Sequence, residues 1–129
     1  MKLLLDTHIF LWFINGDERL PESFKAHIQS SENEVYLSVV SLWEAIVKNQ
    51  IGKLALPQPA EQYLPTQRDR HQIESLALDE ASVSHLAKLP SIHRDPFDRM
   101  LICQSIEYGL TLVTIDAVMG EYPVSILRT

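Results

Sequence analysis

The feature that most limits how this chain can fold is its alternation of short apolar runs with amphipathic segments, repeated from one end to the other. Lys2–Leu5 (KLLL), Glu34–Ser38 (EVYLS), residues 73–78, residues 110–114 (LTLVT) and residues 124–127 have the length and the β-branched or leucine-rich character of buried strands. Between them lie helical patterns over residues 7–14, 22–30, 40–49, 60–70 and 79–89, and one that starts at Pro96. This order predicts an α/β fold, a mainly parallel sheet of about five strands flanked by helices. Gly52 stops the third helix. Asp79 and Asp95 are placed as N-caps, the latter followed by proline at the first helical position. Residues 17–21 and 90–94 read as turn and loop, and residues 54–56, bounded by Pro57 and Pro59, as a brief extended piece.

At 129 residues, 46% hydrophobic and 22% charged, the chain suits one globular domain spanning 1–129, with no repeat or low-complexity tract to mark a linker. A single cysteine, Cys103, lies in the apolar run MLIC, so neither an internal disulfide nor a Cys/His zinc site is within its means. Lys2 and the apolar residues after it have the look of a leader, but Asp6 and His8 break the run, and a cytoplasmic protein is expected. The net charge of −6 leaves few cations for a broad grip on phosphates, yet it includes acids that would bind divalent cations. Charge therefore neither favours nor excludes a nucleic-acid substrate.

The acids are not scattered. Asp6 follows the first strand directly, and Asp116 lies two residues past the strand ending at Thr114. In a parallel sheet both reach the carboxyl edge, where open α/β sheets bind ligands. Glu44 rides on the helix after the second strand. At about 100° per residue it stands beside Val40, Val47 and Ile51, at the border of the apolar arc. Asp98 sits in the first turn of the Pro96 helix, and topology alone places it least well, so that the loop before it is expected to carry it over. Each acid also has a structural explanation: Asp6 as an N-cap, Glu44 as a solvated ion pair with Lys48, Asp98 as a helix-dipole partner and Asp116 as a turn residue. Asp95 is accounted for by capping and left out of the site. His93 and Arg94 are candidate phosphate contacts, Trp12 and Trp43 read as core, and His8, His27, His71 and His85 show no metal-ligand spacing.

The segments LLLDTH (residues 3–8), SLWEAIVK (41–48), HRDPFDRMLICQS (93–105) and LTLVTIDAVMGEYPV (110–124) together resemble the PIN-domain family, and more closely the VapC toxins of bacterial toxin–antitoxin systems. The likeness runs through nearly the whole chain in order. It implies a five-stranded parallel sheet, Mg²⁺- or Mn²⁺-dependent cleavage of RNA, and an acidic site formed by Asp6, Glu44, Asp98 and Asp116. It also implies a Thr114 hydroxyl near the metal's water, a homodimer, and a small VapB antitoxin as partner.

Mg²⁺ prefers oxygen ligands and keeps several waters, which explains a site of carboxylates rather than histidines or cysteines. Asp6 and Asp98 are the expected chief ligands, Asp116 a ligand directly or through water, and Glu44 either the start of a second metal position or the group that orients the attacking water. Two carboxylates 4 Å apart repel by about 4 kcal/mol at an effective dielectric near 20. Without metal, at least one should therefore hold its proton with a raised pKa. The competing readings are a catalytically silent PIN-fold binding module and a DNA-directed nuclease with the same acids.

Overall fold

The structure, a computed structural model, describes residues 1–92 and 95–128. His93 and Arg94, the candidate phosphate contacts, lie outside the described residues. Five strands, β1 (Lys2–Leu5), β2 (Glu34–Ser38), β3 (Glu74–Leu76), β4 (Thr111–Val113) and β5 (Ser125–Ile126), form one sheet in the order β3-β2-β1-β4-β5. Every pairing is parallel, with Leu3 opposite Val35 on one side and Thr111 on the other. The helices are α1 (Thr7–Asn15), α2 (Glu22–Gln29), α3 (Val39–Gln50), α4 (Ala60–Arg70), α5 (Glu80–Ser84) and α6 (Pro96–Tyr108). No helix among the described residues is long and apolar enough to cross a membrane.

The leucines of β1 divide between the two faces, as the period-2 geometry of a strand requires. Leu3 and Leu5 join Ile9 and Phe10 of α1, Phe24 of α2 and Leu64 of α4 in one core. Leu4 joins Leu112, the Met100–Cys103 stretch of α6, Met119 and Tyr122 in the other. Both faces are covered, which is why the strands read as unbroken apolar runs. Helix α6 is buried from Met100 through Ser105. Its one large polar group there, Gln104, is fully enclosed and satisfied: it accepts from Ser38 Oγ at 2.5 Å and donates to the Ala77 carbonyl at 3.1 Å. It thereby ties α6 to the β2–α3 junction.

The Lys53 and Leu54 amides both donate to the Lys48 carbonyl, and Asn49 Nδ2 to the Leu54 carbonyl, so the piece over residues 54–56 is tied to the end of α3. Two expectations are corrected. The helix expected over 79–89 stops at Ser84 and tightens into a 3₁₀ turn over His85–Lys88. There Ser84 Oγ donates back to the Glu80 carbonyl at 2.8 Å, competing with the helical ladder. The second concerns Asp98. Helix α6 ends on Gly109, whose left-handed φ of 62° turns the chain directly into β4. Its C-terminus thus meets the amino end of β4, and its N-terminus lies at the sheet's carboxyl edge. Helix direction alone brings Asp98 there, without the special loop.

The strand order also locates a crevice. The chain steps outward from β1 to β2 to β3, then returns to the other side of β1 for β4 and β5. At this reversal the connections leaving β1 and β4 diverge, and the gap between them is where open α/β sheets bind ligands.

Candidate active site

Asp6, Glu44, Asp98 and Asp116, brought from four separate segments, line one cavity of about 420 Å³ at this crevice. Asp6 starts α1, but its side chain makes no capping hydrogen bond. Its Oδ2 instead accepts from the Thr114 hydroxyl at 2.7 Å, across the β1–β4 gap. Asp6 is only 7% exposed, and burial pushes its carboxyl above the ordinary 3.8; the Thr114 bond and His8 pull it down, while the Glu44 charge pushes it up. The raised carboxylate expected from crowding is present, with desolvation rather than like charge as its largest cause.

Glu44 is 3% exposed, so the solvated ion pair is not what forms. Its Oε2 takes the Lys48 ammonium at 2.5 Å, and its Oε1 lies 2.8 Å from Thr7 Oγ1. Thr7 Oγ1 is also 2.8 Å from Ser41 Oγ. A hydroxyl has one hydrogen to give. The Thr7 hydrogen goes to the carboxylate, the stronger acceptor, and the Ser41 hydroxyl completes the pair. Burial works against the Lys48 charge, but the hydrogen bond and attraction to Glu44, with Asp95 and Asp98 beyond, outweigh it and raise the ammonium's pKa.

Asp98 is half-buried in the first turn of α6. Asp95 Oδ1 accepts from the Phe97 amide at 2.9 Å and the Asp98 amide at 3.3 Å, as an N-cap should. Asp95 also lines the same cavity. Asp116 both lines the cavity and performs its turn role: its Oδ1 accepts from the Val118 amide at 3.0 Å, while its own amide donates to Thr114 Oγ1 at 3.1 Å. Thr114 is therefore the link between Asp6 and Asp116.

The rim carries groups that sequence reasoning passed over. Trp12 and Arg19 form part of the cavity wall, with the guanidinium 5.0 Å from the indole centroid. Trp43 is not core: it is 52% exposed and meets Phe97 edge-on at 4.7 Å. The supports of Glu44 had a faint signal in the spacing, since Ser41 and Lys48 stand one helical turn to either side of it.

The donors are carboxylate oxygens, hard ligands suited to Mg²⁺ or Mn²⁺ rather than to a zinc site of nitrogen and sulfur. Among the described residues, no three Asp, Glu, His or Cys side chains converge closely enough to enclose an ion unaided. The cavity, of about 420 Å³, is instead roomy enough for a hydrated ion. The donor set and the space fit an ion that keeps several waters and takes one or two carboxylates.

A family model described as PIN domain matches residues 3–124. Ribonuclease VapC16 of Mycobacterium tuberculosis (strain ATCC 25618 / H37Rv) is 33% identical over 61 residues, a match covering 47% of this chain and 43% of that protein's length. Among solved structures, VapBC2 from Rickettsia felis bound to a promoter DNA fragment superposes with a TM-score of 0.74 at 18% identity, over 99% of this chain and 98% of that one. DNA-bound VapBC from Salmonella typhimurium gives 0.66 at 22% identity, over 99% and 97%. At these identities the two structures speak for the fold.

Proposed function

We propose, from the premise that this chain belongs to the PIN domain family, that it is a divalent-metal-dependent endoribonuclease, the toxin of a VapBC-type pair. The observation that carries this reading is the meeting of Asp6, Glu44, Asp98 and Asp116 in one cavity at the reversal of strand order. The partial match to a VapC ribonuclease and the fold shared with VapBC complexes support it. The partners proposed are RNA as substrate, a small VapB-type antitoxin and a second copy of the chain, with residues 1–129 acting as one domain.

Asp6 and Asp98 are the chief ligands for Mg²⁺ or Mn²⁺, and Asp116 binds directly or through water. The ion supplies activation of water as a nucleophile and neutralisation of the charge that develops on the scissile phosphate. Thr114 holds Asp6 Oδ2, orienting the carboxylate that would bind the ion, and fixes the Asp116 backbone in the same bond network. Thr7 and Lys48 engage the two oxygens of Glu44 and hold its side chain in place, from where it orients the attacking water. Arg19 and His8, exposed at the rim, reach the flanking phosphates. Hydrolysis by this route leaves 5′-phosphate and 3′-hydroxyl ends.

The test is incubation of the purified chain with total RNA, with and without Mg²⁺ and with EDTA, followed by mapping of the cut ends. Cleavage that needs Mg²⁺ and disappears with EDTA is expected. Cleavage indifferent to EDTA would overturn the metal assignment. Binding of RNA without cleavage under any metal would identify a silent binding module, and equal cutting of DNA a nuclease of broader substrate class.

A further inference from the structure

We propose that the stack of Arg19 on Trp12, in the wall of the acidic cavity, is a subsite for an unpaired nucleobase beside the scissile phosphate, and that it directs cleavage to single-stranded RNA. The inference rests on the ribonuclease reading above and deepens it by naming the form of RNA that fits.

The local fold builds this stack. Helix α1 is capped by Gly16, whose left-handed φ of 62° lets the Asp17 amide donate back to the Trp12 carbonyl at 2.9 Å. The reversed chain brings Arg19 over Trp12, with the guanidinium carbon 5.0 Å from the ring centroid. Leu20, the next residue, is 6% exposed and anchors the segment in the core. Asp17 fixes the guanidinium from the side. Its carboxylate accepts from Arg19 Nε at 3.1 Å and Nη2 at 2.7 Å, and from the Arg19 amide at 2.9 Å. Trp12 itself is half-buried and packed against the core. Both planes are therefore set before a substrate arrives, so binding spends little entropy on ordering them.

Position and exposure point to a base as the occupant. Trp12, Arg19 and His8 line the same cavity as Asp6 and Glu44. Trp12 follows Asp6 by six residues, about 9 Å along α1 at 1.5 Å per residue, within reach of a base that flanks a phosphate held at the acids. The Arg19 side chain is 70% exposed although one face lies on the indole, so its other face is open. Asp17 balances much of the Arg19 charge at a distance. Beyond a local phosphate contact, what the pair offers is a flat cationic surface. Unpaired bases stack on guanidinium and aromatic planes of this kind, whereas a base inside a duplex is already stacked and held by its pair.

The test uses short RNA oligonucleotides spanning a cut mapped in total RNA, each with one abasic nucleotide at a position flanking that cut, and the intact RNA annealed to its complement. In Mg²⁺, the wild-type chain is expected to lose roughly tenfold in kcat/KM at one flanking abasic position, and at least as much on the duplex. Trp12→Leu and Arg19→Lys are expected to lose a similar factor on intact RNA and to be indifferent to that abasic position. Arg19→Lys keeps the charge and loses the plane, so it separates stacking from attraction to phosphate. Circular dichroism checks the fold, and Arg19→Lys, a change in an exposed side chain, decides the matter where Trp12→Leu does not fold. Indifference of the wild-type chain to every abasic position, equal cutting of the duplex, or an Arg19→Lys chain as sensitive to the abasic position as the wild type would overturn the proposal and leave the ribonuclease reading intact. Failure of the wild-type chain to cleave any RNA would overturn that reading and this one with it.

Discussion

Thr7→Val exchanges a hydroxyl for a methyl of nearly the same shape in a side chain that is 4% exposed, so it removes hydrogen bonding at Glu44 while leaving packing intact. The Glu44 Oε1 atom would lose its donor inside the protein, with Lys48 still holding Oε2. A hydrogen bond to a charged group contributes about 1.5–3 kcal/mol, and a buried acceptor without a partner costs at least as much, so a loss of about 2 kcal/mol is expected. With an unfolding entropy of about 2.1 cal/mol/K per residue over 129 residues, that lowers Tm by roughly 7 °C. Ser41→Ala is the control, because it leaves the Thr7–Glu44 bond in place and should cost about half as much or less. The assay is scanning calorimetry in EDTA, so that no metal contributes. A Thr7→Val chain that melts with the wild type, or a Ser41→Ala chain that melts lower than Thr7→Val, would show that Thr7 is not what keeps the buried carboxylate satisfied.

Asp6→Asn should abolish RNA cleavage and yet raise the metal-free Tm near neutral pH. The folded Asp6 carboxyl has its pKa above the ordinary 3.8, so its favourable contribution is complete below that value and lost as pH rises through the folded pKa; the amide removes this loss and still accepts from Thr114. A lower Tm than wild type in EDTA would contradict the sign. Mg²⁺ should stabilise the wild-type chain by about 2.7 kcal/mol at a hundredfold excess over Kd, and Asp6→Asn and Asp98→Asn much less, as read by thermal melts with increasing metal. Equal shifts in all three would place the ion elsewhere. Gln104→Leu should lower stability by about 1–3 kcal/mol in urea unfolding, because the buried Ser38 hydroxyl loses its acceptor. An unchanged midpoint would mean that the α6 tie to the β2–α3 junction carries no net stability.

Much of the architecture was legible along the chain. Strands β1 and β2 and helix α4 keep the bounds their patterns imply, since period-2 and helical spacing are local properties. Strand β3 shrinks to Glu74–Leu76 because it lies at the sheet's edge and has only β2 to pair with. The four acids were legible as positions near strand ends and helix starts. Their convergence was expected from a family likeness, and for Asp98 the topological reasoning pointed the wrong way until the direction of α6 was seen. The role of Lys48 could not be weighed from spacing: an i, i+4 pair with Glu44 reads the same whether it is solvated or enclosed. Trp43 failed for a related reason. Hydrophobicity suggests burial, but whether another element covers a given helix face is decided elsewhere in the chain.

The sequence by itself determined which segments become most of the strands and helices, and that the sheet would be parallel. Only the tertiary structure decided that Asp6 is held by a hydroxyl 108 residues away, that Glu44 is enclosed and held by a half-exposed lysine, and that Asp95 lines the same cavity. The physical reason is range. Backbone propensity and periodicity act over a few residues, whereas the burial that shifts a carboxylate's pKa and the hydroxyl that orients it come from strands brought side by side by folding.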